Sequence, residues 1–264
     1  MLKVIKYRIL TILEDKIVFV LLALAFIAIN YTAIFASGLL RLGTGDYHGT
    51  VKYELLANSF AYGSFLSTIV LSIYLGMGLI GKDVQSNQIY LLLSVYSNRV
   101  KYIISNWISL ALSIFTITCG FVLNLFSIGL VQNVSVNYSE ILVMFTEILL
   151  NGIVVMTITS VFSILIKGNG SMLTGILSLV IYYLYAFEKI LVTEVKVTIP
   201  HNVKQLLCNF APISEPAARS LVELGLATKH LVLPYLINNL MLYQIIFCLI
   251  ILAFGIAAFK YRDV

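Results

Sequence analysis

The segment from Gly76 to Asp83, GMGLIGKD, is the part of the sequence that comes nearest to a chemical motif. It matches the first seven positions of a phosphate-binding loop, in which glycine backbone and a lysine hold phosphate. That loop needs a serine or threonine hydroxyl for its metal where this chain has Asp83, and it follows a buried strand rather than a long apolar run. A carboxylate would also repel phosphate. We therefore expect no nucleotide site in this chain and interpret the glycines as helix-packing positions.

The remaining reactive side chains predict neither a metal site nor an enzyme. The three histidines lie in predicted loops, and the HExxH pattern of zinc hydrolases does not occur. Cys119 and Cys248 fall within apolar runs and Cys208 stands alone in a loop, so no disulfide framework is expected. We expect no catalytic residue, no metal ligand and no cofactor bound by this chain.

Two polar residues inside apolar runs are candidate functional groups. Glu147 is the clearest acidic residue within such a run, and intramembrane carboxylates are functional candidates by default. It lies less than two helical turns from the predicted outer end of its run, so a carboxylate that reaches outer water is the alternative. Asn124 lies deeper and is expected to hydrogen-bond to a neighbouring helix.

The composition predicts the elements that must position these residues. Of the 264 residues, 60% are hydrophobic and 11% are charged, which is too little charge to cover a soluble globule of this size. We predict an all-α polytopic membrane protein with one domain, residues 1–264. A span needs roughly 20 apolar residues. The six windows that qualify are Ile17–Ser37, Phe60–Ile80, Tyr102–Val131, Ile141–Ile166, Ser171–Phe187 and Tyr235–Phe259.

The distribution of lysine and arginine predicts the orientation. With the N-terminus inside, ten of the 17 basic residues fall in short inner flanks and seven fall outside, most of them in one long loop. We predict a multi-pass protein of a cell membrane, the bacterial plasma membrane, with both termini cytoplasmic. The net charge of +5 then reflects these flanks, and no nucleic-acid partner follows from it.

Residues 1–16 predict an interfacial helix ahead of the first span. Leu2, Ile5, Ile9, Ile12 and Leu13 recur at helical spacing, with the charged residues largely on the other side. Such a helix lies flat on a membrane surface. A signal peptide is the alternative, but the apolar stretch is too long and has no clear cleavage site.

Residues 81–101 form a polar and amphipathic segment between the second and third predicted spans. The segment opens with charges and amides, continues with the apolar run Ile89–Leu93, and closes with Arg99 and Lys101. It is longer than a reversal between spans requires, and the orientation places it in the cytoplasm. We predict a cytoplasmic element whose mixed surface suits a groove. A loop that places its charges among lipid headgroups is the alternative.

Residues 192–234 predict a pair of short amphipathic helices on the outer side, before the sixth span. An apolar stripe ends at Pro212, and Ser214 and Glu215 ahead of Pro216 are typical of the start of a second helix. Irregular backbone at membrane depth must be covered by protein or water, so a re-entrant hairpin would face a pathway or a partner subunit. A surface cap is the alternative. The candidate residues of an outer gate are Leu206, Leu207 and Phe210.

The order of these elements resembles ABC-2 type permeases, the membrane subunits of ATP-binding cassette exporters. The local likeness lies in GKDVQSNQIYLLLS at residues 81–94, in SNR at residues 97–99 and in the terminal FKYRDV. Family members often have an acidic residue, a Gly-Thr pair, a Leu-Leu-Ser run and a Pro-x-x-Arg in the first region. This chain has the acidic residue, the Leu-Leu-Ser run and the arginine, but it lacks the Gly-Thr pair and the proline.

The resemblance implies a transport subunit without its own motor. In this family two permeases pair, and each docks a separate ATPase through the cytoplasmic element after span two. The expected partners are therefore an ATP-binding cassette ATPase, which would bind ATP and Mg²⁺, a second permease copy or paralogue, and membrane lipids. The resemblance assigns the docking role to Asp83, Gln88, Tyr90, Leu92, Leu93 and Arg99.

The predicted function is export of an apolar or amphipathic cargo, such as a peptide, toxin, antibiotic or lipid. Nearly uncharged spans favour such a cargo, and the rest is family analogy. An ion-coupled carrier is an alternative. Such a carrier usually needs buried ionisable groups or broken spans, and beyond Glu147 the sequence shows little of either. A membrane immunity protein that sequesters a peptide ligand is a further alternative.

Overall fold

Six α-helices make up the described part of the chain in this computed structural model. The structure describes residues 2–42, 60, 63–77, 99–131, 138–165, 173, 176 and 234–261. Within these ranges there is no strand, which confirms the predicted all-α class for them. The helices are α1 Leu2–Glu14, α2 Lys16–Leu42, α3 Gly63–Met77, α4 Arg99–Val131, α5 Tyr138–Leu165 and α6 Pro234–Tyr261.

Three of these helices, α4, α5 and α6, are long and apolar enough to cross a membrane. Shorter apolar stretches occur at Lys16–Tyr31 in α2 and at Gly63–Met77, which is the whole of α3. Large apolar side chains also face outward, among them Phe19, Leu123 and Phe254, which are 71%, 66% and 56% exposed. Apolar faces of this kind on long apolar helices are typical of a membrane protein.

Several predicted elements fall outside the described residues. They are the fifth span apart from Leu173 and Ile176, the cytoplasmic element apart from residues 99–101, and the outer hairpin at 192–234 apart from Pro234. The count of six spans and the single domain therefore stay predictions. The other five predicted spans each coincide with most of one described helix.

The first three apolar helices, α2, α3 and α4, follow one another in alternating directions. Asp15 before α2 meets Tyr74 near the end of α3, and Ile29 further along α2 meets Gly63 at the start of α3. These two contacts make α2 and α3 antiparallel. Phe26 in α2 packs edge-on against Phe121 of α4, with ring centroids 5.2 Å apart, so α4 also lies against α2.

The fourth and fifth apolar helices, α5 and α6, run parallel to each other. Gln244 of α6 bonds to Asn151 of α5, and eleven residues further along α6 Gly255 meets Val161 of α5. Both helices therefore advance in the same direction. Because they are parallel, the end of α5 at Leu165 and the start of α6 at Pro234 lie at opposite ends of the bundle.

Helix α1 lies at one end of the bundle, which we call the α1 end. Arg8 of α1 contacts Tyr102 in the first turn of α4. Tyr102 stacks on Phe259 near the end of α6, and Ile164 near the end of α5 belongs to the same apolar cluster. The start of α4 and the ends of α5 and α6 therefore meet beside α1.

A single residue, Asp15, separates α1 from α2 and caps α2. Its Oδ1 accepts a hydrogen bond of 2.9 Å from the backbone N–H of Ile17, as an N-cap carboxylate does. The predicted N-terminal helix is confirmed, and Ile12 on its predicted apolar side is buried, but Leu13 is 63% exposed. Its position on a membrane surface stays a prediction.

Glycine lets α3 approach α5 to backbone contact. A Cβ added to Gly76 would lie 2.8 Å from the Cβ of Thr159 and 3.0 Å from the carbonyl oxygen of Met156. A Cβ on Gly152 would lie 2.7 Å from the Cγ2 of Thr68. Small residues of this kind permit close helix packing in membranes, which agrees with the packing role predicted for Gly76.

Helix α5 is more enclosed than the two other long apolar helices. In its apolar window 56% of the residues are buried, against 28% in α4 and 22% in α6. On its α6 side, a Cβ on Gly255 would lie 2.7 Å from the Cγ2 of Val161. Helix α5 is therefore packed against α3, α4 and α6, whereas α4 and α6 each keep an outward apolar face.

Adding one methyl group at the α3–α5 contact should destabilise the folded protein. We expect Gly76→Ala to lower the free energy of unfolding by about 1–3 kcal/mol, because the new Cβ meets helix backbone that cannot move aside. The matched control is Gly120→Ala, where a Cβ would lie 3.7 Å from the Cζ of Phe26, an ordinary contact. Thermal unfolding in detergent micelles measures both variants. Equal effects at the two positions would contradict the close approach of α3 and α5.

Candidate functional site

Buried polar side chains follow the inner faces of α3, α4 and α5. These helices meet at Gly152, where a Cβ would lie 3.1 Å from the Cγ2 of Ile114 and 3.1 Å from the Oγ of Ser72. We call the set the polar seam. Its members are Ser64, Thr68 and Ser72 on α3, Ser105, Asn106, Ser109 and Ser113 on α4, and Thr159, Ser160 and Ser163 on α5, all of them buried.

Most hydroxyls of the polar seam donate to a carbonyl of their own helix. Ser64 donates to Phe60 at 2.6 Å and Ser109 to the carbonyl of Ser105 at 2.7 Å. The same pattern holds for Ser113, Thr159, Ser160 and Ser163. This back-bonding satisfies a hydroxyl without a partner from another helix.

Four polar atoms of the seam have no hydrogen-bond partner among the described residues. They are Oγ1 of Thr68, Oγ of Ser72, Oγ of Ser105 and Oδ1 of Asn106, on residues no more than 1% exposed. Each buried unsatisfied group costs about 1–3 kcal/mol, so four would cost about 4–12 kcal/mol. A sum of that size rivals the net stability of a whole domain, about 5–15 kcal/mol.

A second polar cluster lies between α5 and α6. The side-chain amide of Gln244 donates to the Oδ1 of Asn151 at 2.9 Å, and both residues are at most 1% exposed. The stripe of α5 that faces α6 continues through Val154 to Val161. Glu147 stands one turn before Asn151 on that same stripe, because residues four apart share a helix face.

The burial of Glu147 favours an intramembrane carboxylate over one that reaches outer water, and its functional role stays a prediction. The residue is 6% exposed, so its carboxylate lies within the bundle and does not extend into outer water. It lies one helical turn from Asn151, whose amide bonds to Gln244. Carboxylate and amide oxygens together can accept hydrogen bonds from a cation or from a protonated group.

Asn124, the other predicted polar candidate, lies in the half of α4 remote from the α1 end. Its Nδ2 is buried and has no partner in the described part of the protein. The predicted hydrogen bond to a neighbouring helix is thus not formed by that atom here. Helix α4 bonds to α5 through Trp107 instead, whose Nε1 donates to the Oγ1 of Thr157 at 2.9 Å.

The α1 end holds a cluster of charged and aromatic side chains. The guanidinium of Arg8 donates to the Tyr102 hydroxyl at 3.5 Å, although Arg8 is only 7% exposed. The ring of Tyr102 stacks on Phe259 with centroids 6.2 Å apart. Tyr102 therefore connects α1 to α6 through α4.

Arg99, a predicted docking residue, contacts α6. Its Nη1 donates to the backbone carbonyls of Phe259 and Lys260, each at 3.5 Å. A cation at a helix C-terminus also stabilises the helix dipole. Arg99 thus stabilises the end of α6, and its predicted contact with an ATPase stays a prediction. The hydroxyl of Tyr74 makes a similar connection for α3, donating to the Oδ2 of Asp15 at 2.9 Å.

The other predicted site residues lie outside the described part of the chain. These are the docking candidates Asp83, Gln88, Tyr90, Leu92 and Leu93 and the gate candidates Leu206, Leu207 and Phe210. Among the described residues, no group of three or more His, Cys, Asp or Glu side chains could hold a metal ion.

Sequence reasoning missed Asn151, Gln244, Arg8 and Tyr102. A signal existed for the two amides, because each interrupts a long apolar run, as Asn124 does. The spacing of Asn151 four residues after Glu147 would have placed both on one face. No comparable signal marks Arg8, whose position among the lysines of α1 is typical of a solvated charge.

Sequence comparison assigns no family. No protein-family model matches the chain, and no curated protein matches it significantly.

The amide pair between α5 and α6 should contribute a measurable coupling energy. We expect a double-mutant cycle with Asn151→Leu and Gln244→Met to give a coupling of about 0.5–2 kcal/mol, the range of hydrogen bonds between membrane helices. The control pairs Asn30→Leu with Gln244→Met, because Asn30 donates to the Phe26 carbonyl of its own helix at 2.8 Å. That pair should be additive within about 0.5 kcal/mol. Unfolding in mixed micelles measures the cycle, and additivity of the Asn151 pair would rule out the bond.

Proposed function

We propose that the chain is the membrane-spanning permease subunit of an ATP-driven exporter, in the manner of ABC-2 type permeases. A separate ATPase subunit supplies the energy, and two permease chains together form the path. The cargo is apolar or amphipathic, of the class of peptides, toxins, antibiotics and lipids. The proposal includes six spans in a bacterial plasma membrane, with both termini in the cytoplasm.

The observation that carries the proposal is the convergence of helix ends at the α1 end. Met77 at the end of α3 and Arg99 at the start of α4 both lie there, so the two residues that flank segment 78–98 are at the same end. This segment contains the predicted docking element. A force applied to it would reach α4 directly, and α1 and α6 through Tyr102 and Arg99.

The charges at the α1 end support its cytoplasmic placement. Among described residues this end carries two acidic side chains, Glu14 and Asp15, and a larger set of basic ones. Lysine and arginine near span ends favour the cytoplasmic side. The basic residues are Lys6, Arg8, Lys16, Arg99, Lys101 and Lys260.

The parallel direction of α5 and α6 supports the proposed number of spans. Leu165 and Pro234 lie at opposite ends of the bundle. One further span between them, as proposed at Ser171–Phe187, agrees with that arrangement. With it, both ends of the chain fall on the same side, as the charge distribution predicts.

An ion-coupled carrier is the second candidate, and one observation favours it. Glu147 is buried one helical turn before Asn151, which bonds to Gln244, and buried carboxylates in membrane helices often bind coupling ions or protons. Purification of the chain with its native partners separates the two candidates. Co-purification of an ATPase supports the permease, whereas transport by the isolated chain along an ion gradient supports the carrier.

The docking element should depend on its apolar residues more than on its charges. We expect Leu92→Asp to abolish binding of the ATPase or cargo-stimulated ATP hydrolysis, because a groove-docked helix is held by buried apolar side chains. Lys82→Glu is the control and should have a smaller effect, since peripheral charges mainly alter association rate and salt response. A pull-down of the ATPase by folded, membrane-inserted variants measures this. Full binding and turnover by Leu92→Asp would show that this segment does not couple the subunits.

The outer hairpin should control the far end of the path. We expect Phe210→Asp to reduce efflux of an amphipathic peptide, because a charge would disrupt the apolar stripe that Leu206, Leu207 and Phe210 form. Assembly with the ATPase should be unchanged. Peptide accumulation in cells that express either form is the measurement. Equal efflux by the Phe210→Asp variant and the unmodified protein would indicate that the hairpin is only a surface cap.

A further inference from the structure

We propose that the hydroxyl of Thr157 is a conformational latch that couples α4 to α6 through α5. Side chains from both neighbouring helices, Trp107 of α4 and Cys248 of α6, share the Oγ1 atom of this one residue. A movement of either helix would therefore change the contact that the other makes with α5. The coupling depends on these contacts and not on the function proposed above.

The contact with α4 is a short hydrogen bond. Nε1 of Trp107 donates to Oγ1 of Thr157 at 2.9 Å, and an indole N–H can act only as a donor. The Trp107 side chain also packs against the apolar cluster of Tyr102 and Phe259 at the α1 end. Trp107 therefore lies between that cluster and Thr157, which is 0% exposed.

The contact with α6 is made by the thiol of Cys248. Cys248 packs with Val154 and Ile158 of α5, which lie three residues before and one residue after Thr157. Its thiol hydrogen-bonds to the side chain of Thr157. Because Cys248 is only 5% exposed, little water competes for this bond.

The hydroxyl of Thr157 has its full set of hydrogen bonds. A hydroxyl offers one proton and two lone pairs. The proton is donated to the backbone carbonyl of Ile153 at 2.7 Å, so the lone pairs accept from the N–H of Trp107 and the S–H of Cys248. A small group with every site in use holds its two partner helices in one arrangement.

The rotamer of Thr157 makes this arrangement a two-state element. The χ1 angle of a side chain occupies discrete staggered wells, and a threonine in a helix divides between two of them according to its bond to the carbonyl one turn back. A change of rotamer moves Oγ1 and so alters its bonds to Trp107 and Cys248 together. A discrete element whose equilibrium is biased from two sides is the physical basis of coupling.

The latch joins the same two helices that already meet at the α1 end. There Tyr102 of α4 stacks on Phe259 of α6. Trp107 follows Tyr102 by five residues, and Cys248 precedes Phe259 by eleven, so the latch is a second and separate connection further into the bundle. A displacement at the start of α4 would then reach the middle of α6. Its use in transport rests on the proposed function as a permease.

Both partners of Thr157 are native reporters of the latch. Trp107 is the one tryptophan of the chain, so fluorescence emission reports on the α4 contact. With alanine at Cys119 and Cys208, Cys248 is the one remaining cysteine, and its rate of labelling by N-ethylmaleimide reports on the α6 contact. The full chain is measured in lipid nanodiscs, and gel filtration verifies that each variant is folded.

The first comparison removes the shared hydroxyl. Thr157→Val has nearly the same volume without the hydroxyl, and Thr157→Ser keeps it. We expect Thr157→Val to shift the emission of Trp107 and to speed labelling of Cys248, and Thr157→Ser to do neither. Thr146→Val is the control on the same helix, because Thr146 donates to the Leu142 carbonyl of its own helix at 2.7 Å. Equal behaviour of Thr157→Val and Thr157→Ser would overturn the role of the hydroxyl.

The second comparison breaks the α4 contact and measures the α6 contact. We expect Trp107→Phe to speed labelling of Cys248 at least about threefold, because a thiol reacts where water can reach it. In a Thr157→Val chain the same substitution should add no further increase, since the route through the hydroxyl is already lost. An unchanged rate in Trp107→Phe would overturn the coupling. An equal increase in both backgrounds would show that the effect does not pass through Thr157, which would also overturn it.

Discussion

The close contact of α5 with α3 and α6 determines how the other described helices can pack. Gly76, Gly152 and Gly255 remove the side chains that would hold these helices apart, and in each case an added Cβ would come within 2.8 Å of a neighbouring atom. Lipid is as apolar as a leucine side chain, so membrane helices gain little from hydrophobic burial against one another. Close van der Waals contact and interhelical hydrogen bonds must supply the association, and both are found along α5.

This close packing explains why polar side chains are concentrated where they are. When helix axes approach through glycine, only small residues fit beside them, and serine and threonine are small residues that can satisfy their hydroxyls within the helix. The α3–α5 contact accordingly carries Ser64, Thr68 and Ser72, whereas the outward faces carry large apolar side chains. The α5–α6 contact instead contains the amide pair Asn151 and Gln244, whose bond has a defined geometry and therefore defines the register of the two helices.

The α1 end has a different physical character, because its helix ends are joined by aromatic and charged groups. Tyr102 contacts Arg8 through its hydroxyl and Phe259 through its ring. Arg99 adds contacts to the last carbonyls of α6, and Asp15 joins the α1–α2 junction to α3 through Tyr74. A displacement at the start of α4 would thus move several helices together, which is the property that the proposed role as a subunit driven by a separate motor requires.

The sequence by itself determined the helical class and the approximate limits of five apolar helices. The window Tyr102–Val131, for example, lies within the observed Arg99–Val131. This was possible because hydrophobic length is a local property that charges or turns interrupt at each end. Glu147 was also identified locally, as a carboxylate in an apolar run. The tertiary structure decided which faces meet: the burial of Arg8, the Asn151–Gln244 bond across 93 residues and the unpartnered atoms of the polar seam. The average hydropathy of α5 is nearly the same on all its faces, so its periodicity does not distinguish the face toward α3 from the face toward α6. Those contacts depend on the rotation and direction of each helix in the bundle, which no local pattern encodes.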